Sequence, residues 1–305
     1  MGEFAERLRR GEPVVLDGGG GTELERRGYV DRLRLWSAGA VEDAPETVVR
    51  IHRDYIDAGA QVITTQTFTC CRRRFRKAGA EALFEPLTRG AVALAIQARR
   101  DARRPDVLIA GSISPLEHCY HPELAPRGDD SYAEHLESVR LLAAAGTDLI
   151  LVETMNTVDE ARAALRAART SGLDVVVGFC CGRWGRLLSG EPVRDAVRAL
   201  DPLGPAAYAI NCTPVPLATR AAADLAAATA TPFGVYANAG DWSDGTWSRV
   251  FGAEFIFELD PDAYLAHAVT WRELGAAFVG GCCGTGPAHV RRLAGAFGAA
   301  AGDPG

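Results

Sequence analysis

The sequence lacks any apolar run approaching the roughly 20 residues a membrane-spanning helix needs. Met1 to Arg10 carries charges where a secretion signal needs an apolar stretch. A surplus of positive charge is also missing: 33 basic residues against 39 acidic ones leave a net charge of −6, with a pI near 5.6. That balance argues against a nucleic-acid or anionic-membrane surface and for a soluble, cytosolic protein. No linker, internal repeat or coiled coil interrupts the chain. The glycine run after Asp17 is not followed by Gly-Lys-Ser/Thr, so a P-loop lacks its parts. Cysteine, by contrast, is plentiful at eight residues. In a reducing cytosol structural disulfides are disfavoured, which leaves buried thiols, metal ligands or reactive groups.

Apolar β-type runs alternate with helical patterns along the chain. Strands are expected at Val14 to Leu16, Gln61 to Thr65, Val107 to Ala110, Leu149 to Glu153, Val175 to Phe179, Ala206 to Asn211, Phe233 to Tyr236 and Ala276 to Val279. Helical patterns separate them, and another covers Gly2 to Arg10. Eight β-then-α units in 305 residues predict an α/β fold, a closed (β/α)8 TIM barrel in one domain, since such a barrel takes about 250 residues. Residues 299 to 305 read as a disordered tail. Three connections are long: Gly18 to Glu46, Ser114 to Ser131 and Ala239 to Pro261. All follow strands, and in this barrel strand-to-helix connections build the face where chemistry occurs.

The most informative stretch is Gly280-Gly281-Cys282-Cys283-Gly284-Thr285-Gly286-Pro287, which reads as strand, bend and helix. Glycines on both sides suit a sharply bent backbone in which two sulfurs face one point, with Thr285 capping the next helix and Pro287 in its first turn. Buried inert thiols are the plain alternative. Thiolates on a soft metal such as zinc are the functional one, and a third ligand is then required. Cys212, ending the sixth strand in Ile210-Asn211-Cys212-Thr213-Pro214, is the best candidate.

The blocks Leu16-Asp17-Gly18-Gly19-Gly20-Gly21-Thr22-Glu23-Leu24, Gly111-Ser112-Ile113, Val152-Glu153-Thr154, Ile210-Asn211-Cys212 and Gly281-Cys282-Cys283 stand in an order that resembles the zinc-dependent homocysteine S-methyltransferase family. The resemblance implies methyl transfer from an activated donor to the thiol of L-homocysteine, giving methionine. It implies Zn²⁺ on Cys212, Cys282 and Cys283, with the homocysteine sulfur in the fourth position. It also implies that Asp17 and Glu153 bind the substrate ammonium, that backbone N–H groups from Gly18 and Gly19 onward take its carboxylate, and that Trp36 lies near the donor. Asn211 would orient the substrate or a neighbouring loop. The plain readings are a turn and helix cap for Asp17 and a solvated strand-end acid for Glu153.

Among donors, S-methylmethionine or S-adenosylmethionine is favoured over betaine. The chain lacks folate and cobalamin modules, it lacks the C-terminal extension of betaine users, and Thr65-Gln66-Thr67-Phe68-Thr69 lacks their tyrosine. The segment Ser112-Ile113-Ser114-Pro115 departs from the commonest family form, which has glycine before the proline. A different class, a phosphate-binding barrel lyase or isomerase, would use Gly284-Thr285-Gly286 at a helix N-terminus, and a zinc-buffering or redox-sensing protein would need no amino-acid pocket. Cys70, Cys71, Cys180 and Cys181 are expected to be plain thiols, and His118 to His121 a polar lid. His289 is expected to face outward, and Arg72 to Lys77 to be solvated.

Overall fold

A computed structural model describes residues 2–126, 128–240 and 259–298. Eight parallel strands, β1 (Val14–Val15), β2 (Val62–Thr64), β3 (Leu108–Ile113), β4 (Leu149–Met155), β5 (Asp174–Phe179), β6 (Ala207–Pro214), β7 (Phe233–Asn238) and β8 (Phe278–Gly281), lie in the order β1-β8-β7-β6-β5-β4-β3-β2. The ring closes between β1 and β2 through a parallel bridge from Leu16 to Val62 and the bonds Gln61 N–H to Val15 O (2.8 Å) and Asp17 N–H to Val62 O (3.0 Å). The expected TIM barrel is therefore the fold. The tail at 299–305 and most of the 239–261 connection lie outside the described residues. None of the described helices is long and apolar enough to cross a membrane.

Strand alternation explains both layers of the core. Leu108, Ala110, Leu149, Leu151, Val176, Ala207 and Ala209 point inward, while Ile109, Ile150, Val152, Val175, Val177 and Ile210 pack against the helices. This period of two is what a barrel strand buried on both faces requires. The helix Glu3–Arg9 plugs the opposite end, with Phe4 edge-on to Phe278 at 5.5 Å. Asp174 holds that plug by accepting from the backbone N–H groups of Gly2 (2.8 Å) and Ala5 (2.9 Å).

Two segments contain more order than the sequence implied. The first connection carries the helix Gly20–Arg26, a 3-10 turn Trp36–Gly39 and the short helix Ala40–Asp43. Arg72–Lys77 is a helix rather than a freely solvated run. Its Arg72 pairs with Glu137 (2.5 Å), Arg73 with Glu134 (2.5 Å), and Lys77 with Glu117 (2.6 Å), while Arg74 donates to the Pro115 carbonyl (3.0 Å). This basic helix fastens the connection after β3.

Candidate active site

The inward residues of each strand turn polar toward the C-terminal end: Leu149 and Leu151 lead to Glu153, and Leu108 and Ala110 lead to Ser112. Asp17, Gly18, Gly19, Trp36, Glu153, Cys212, Cys282 and Cys283 consequently line one cleft at that mouth, together with Thr64, Gln66, Phe68 and Tyr236. Asn211, the remaining residue expected there, is fully buried just behind it.

The sulfur atoms of Cys212, Cys282 and Cys283 lie within 4.8 Å of one another, Cys212 and Cys283 at 3.9 Å. Among the described residues no other group of His, Cys, Asp or Glu brings three ligand atoms together. Tetrahedral Zn–S bonds of about 2.3 Å would set sulfurs about 3.8 Å apart, so this trio fits the ion its chemistry suggests. Hydrogen bonds from Cys282 and Cys283 hold the Cys212 thiol well below its usual pKa despite burial, and the contact with Cys212 pushes Cys282 up.

Two backbone devices aim these sulfurs. At β8, Gly284 takes φ +80, and a Cβ there would stand 2.5 Å from the Gly240 nitrogen. At β6 the bend falls on Cys212 itself, with φ 49, beside a register shift between Asn211 and Pro214. Strict alternation would turn Cys212 toward the helices; the bulge re-aims it. β4 repeats the device, with Thr154 at φ 61 beside a shift between Val152 and Met155. Asn211 locks the two together, accepting from Thr154 N–H (2.9 Å) and donating to its Oγ1 (2.9 Å). Both ends of its amide are spent on that neighbour, so orienting the backbone is the role its bonds carry.

Asp17 accepts from the Thr64 N–H (2.7 Å) and hydroxyl (2.9 Å), yet burial raises its pKa to about 7. Glu153 accepts from the Ser112 hydroxyl and is pushed to about 8, first by burial and then by the nearby charges of Cys212 and Asp17. Two buried carboxylates, with no basic side chain among the described residues lining their cleft, form a site suited to a cation. The Gly19 N–H donates to Thr285 Oγ1 (3.2 Å), while the next glycines open the helix Gly20–Arg26, where N–H groups have no intrahelical partner.

Trp36 closes the cleft over Gly21, where a Cβ would meet the indole at 2.1 Å, and stands edge-on to Phe68 at 5.6 Å. From the connection after β3, Tyr120 inserts its hydroxyl 3.2 Å from the Cys212 sulfur. The His118 to His121 segment meets the sulfur cluster through a buried tyrosine and Cys119, while its histidines are exposed. Cys70 and Cys71 contact backbone carbonyls away from the sulfur trio, whereas Cys180 packs beneath it, its thiol 3.3 Å from the Cys212 carbonyl.

Two local expectations need correction. Thr285 does not cap the following helix Pro287–Phe297, whose N-cap is Gly286; its hydroxyl turns back to the Cys282 carbonyl (2.6 Å) and ties the bend to Gly19. His289 is buried, not outward, bonded to Gly286 N–H (3.1 Å) and the Leu259 carbonyl (2.9 Å). Sequence reasoning also missed Ser112, Thr64, Thr154 and Tyr120, and Asn238 at the end of β7. Asn238 is buried with neither amide atom hydrogen-bonded to a described residue. Its inward parity with Tyr236 was the available signal.

The family model for homocysteine S-methyltransferases matches residues 14–297. Homocysteine S-methyltransferase YbgG of Bacillus subtilis is 31% identical over 92% of this chain and 93% of its own. The Escherichia coli homocysteine S-methyltransferase is 32% identical over 94% and 96%, and rat betaine–homocysteine S-methyltransferase 1 is 30% identical over 95% and 73%. The metallated crystal form of the E. coli homocysteine methyltransferase MmuM superposes with a TM-score of 0.80 at 29% identity, covering 95% of this chain and 98% of that one. A barrel mouth joining three thiols to two cation-seeking carboxylates is thus matched by sequence likeness along nearly the whole chain, which belongs to the homocysteine S-methyltransferase family and is a methyltransferase acting on homocysteine.

Proposed function

We propose that this enzyme transfers a methyl group to L-homocysteine with zinc held by Cys212, Cys282 and Cys283, and that its donor is S-methylmethionine or S-adenosylmethionine. The observation that carries the proposal is the sulfur trio, within 4.8 Å, beside two buried carboxylates. Bound there, zinc would keep the substrate sulfur as a nucleophilic thiolate near neutral pH, so no general base is required.

The chain's own residues do the rest. Asp17 and Glu153 receive the ammonium, whose charge relieves the burial penalty on both carboxylates. The N–H groups of the Gly18 to Gly21 segment receive the carboxylate, Gly19 being partly committed to Thr285. Asn211 keeps Thr154 and Cys212 in their bent conformations. The Trp36 and Phe68 rings offer a π face to the cationic methyl donor. A sulfonium is a better leaving group than a quaternary amine, which with the missing tyrosine favours the sulfonium donors over betaine. All eight cysteines are free thiols, in keeping with work in a reducing cytosol.

Metal content with a donor panel tests this reading. The purified enzyme should hold about one zinc per chain, and Cys283→Ala should lose it while Cys70→Ala keeps it. Methionine should form faster with either sulfonium than with betaine. Full zinc in the Cys283→Ala protein would refute the metal assignment; a much higher kcat/KM with betaine would refute the donor.

A further inference from the structure

Tyr120, in the connection after β3, brings a hydroxyl to the sulfur trio. Its ring is buried at 4% exposure among Cys119, Cys180, Cys212 and Cys283, and its hydroxyl stands 3.2 Å from the Cys212 sulfur. Its backbone N–H is fixed separately by His118 Nδ1 at 3.2 Å. The segment's base is clamped as well: Leu116 N–H donates to buried Glu160 (2.8 Å), and the Asn156 side chain donates to the Cys119 carbonyl (2.6 Å). The hydroxyl is therefore delivered to the sulfur by a braced loop, not by a free rotor.

We propose that Tyr120 is a positioning residue of the thiolate centre: its hydroxyl donates to the Cys212 sulfur, withdrawing charge from that ligand and tying the connection after β3 to the metal-loaded state. A phenol, with a pKa near 10, keeps its proton at neutral pH, and a metal-bound thiolate has none, so the direction of donation is fixed. A hydrogen bond to a ligating sulfur lowers its electron donation to the metal. Three anionic sulfurs around one divalent cation leave a net negative centre in a buried pocket, where a donor aimed at the charge counts most. Cys212 is also the ligand whose backbone is bent without glycine, so its placement depends on such side-chain contacts more than that of Cys282 or Cys283. The proposal rests on the three-cysteine metal reading.

The test is Co²⁺ substitution of the full-length enzyme, with Tyr120→Phe and a site-specific 3-fluorotyrosine at position 120 compared with the unmodified protein. The thiolate-to-cobalt charge-transfer band reports the electron richness of the sulfurs and would not respond to a residue that merely packs. It should move to longer wavelength in Tyr120→Phe, where the donor is gone, and to shorter wavelength with fluorotyrosine, a stronger donor. Zinc affinity by chelator competition should fall about tenfold in Tyr120→Phe, as for other outer-shell partners. Thiolate bands present in all three proteins at one wavelength would overturn the role of Tyr120 alone. No thiolate band in the unmodified protein would overturn the three-cysteine reading and this proposal with it.

Discussion

The mouth of the barrel has two halves that supply the same chemistry by different backbone means. Adjacent strands β1 and β8 give Asp17, Cys282 and Cys283, with glycines next to each; β4 and β6, across the barrel, give Glu153, beside Thr154 at φ 61, and Cys212, itself at φ 49. Glycine reaches left-handed or crowded conformations at little steric cost, so the first half is shaped by composition. The second half stores strain of order 1–3 kcal/mol per residue, which persists only where the surroundings over-determine it. Here the surroundings are Asn211 bridging to Thr154 and Cys180 beneath Cys212. One half can be recognised from its letters; the other exists only through contacts between strands.

The sharpest way to break the glycine half is Gly284→Ala. The new methyl would stand 2.5 Å from a backbone nitrogen at φ +80, so relief requires the bend itself to move. Zinc retention should be lost, with a stability cost of at least ~1–3 kcal/mol for the strained φ. Metal content and thermal melting measure both, and a Gly284→Ala protein with full zinc would show that the bend tolerates a side chain.

Asn211→Ala should break the other half more gently. It leaves the Thr154 N–H buried without its partner, a loss of about 1–3 kcal/mol. Zinc affinity should fall about 10- to 100-fold, the usual range for an outer-shell partner. All three cysteines remain, so the metal should still bind at saturating concentration. Unchanged affinity would mean that Cys212 holds its conformation without Asn211.

The two carboxylates sharpen the comparison with a smaller effect. Glu153→Gln and Asp17→Asn should each raise the KM for homocysteine about 10- to 100-fold, the equivalent of losing one charge-assisted hydrogen bond, with zinc retained. In the parent enzyme that KM should rise as pH falls through about 8 and then about 7, as Glu153 and then Asp17 take up protons and stop attracting the ammonium. The stability dependence has the opposite sense. Both folded values exceed the unfolded ones near 4, so the ligand-free fold binds more protons than the unfolded chain in that window and loses stability as pH rises from about 4 to about 8. The Asp17→Asn/Glu153→Gln protein should show a flatter melting profile over that range. A KM insensitive to pH between 6 and 8 would argue against the ammonium role.

How far each feature could be read follows from how local its cause is. The eight strands were legible because each is a short apolar run with helical periodicity on either side, and a both-faces-buried strand needs nothing else. The helix Arg72–Lys77 was not: four arginines and a lysine in six residues read as solvated, and only the facing Glu117, Glu134 and Glu137 make the run a brace. His289 was misplaced for a related reason. Its burial comes from the Leu259 carbonyl, thirty residues away, which no helical pattern at Pro287–Phe297 reports.

By itself the sequence determined the barrel, the order of its strands, the glycine-flanked Cys282-Cys283 bend and the candidate list at the strand ends. These depend on period-two alternation and on backbone freedoms written residue by residue. The tertiary structure alone decided that three sulfurs meet within 4.8 Å, that Asn211 faces Thr154, and that Tyr120 reaches Cys212. It also set the raised pKa values of Asp17 and Glu153, because burial and charge proximity are properties of the closed ring. Cys212 shows the division most clearly: its position at a strand end was readable, but alternation pointed its side chain outward, and a bulge stabilised from two neighbouring elements turned it to the site.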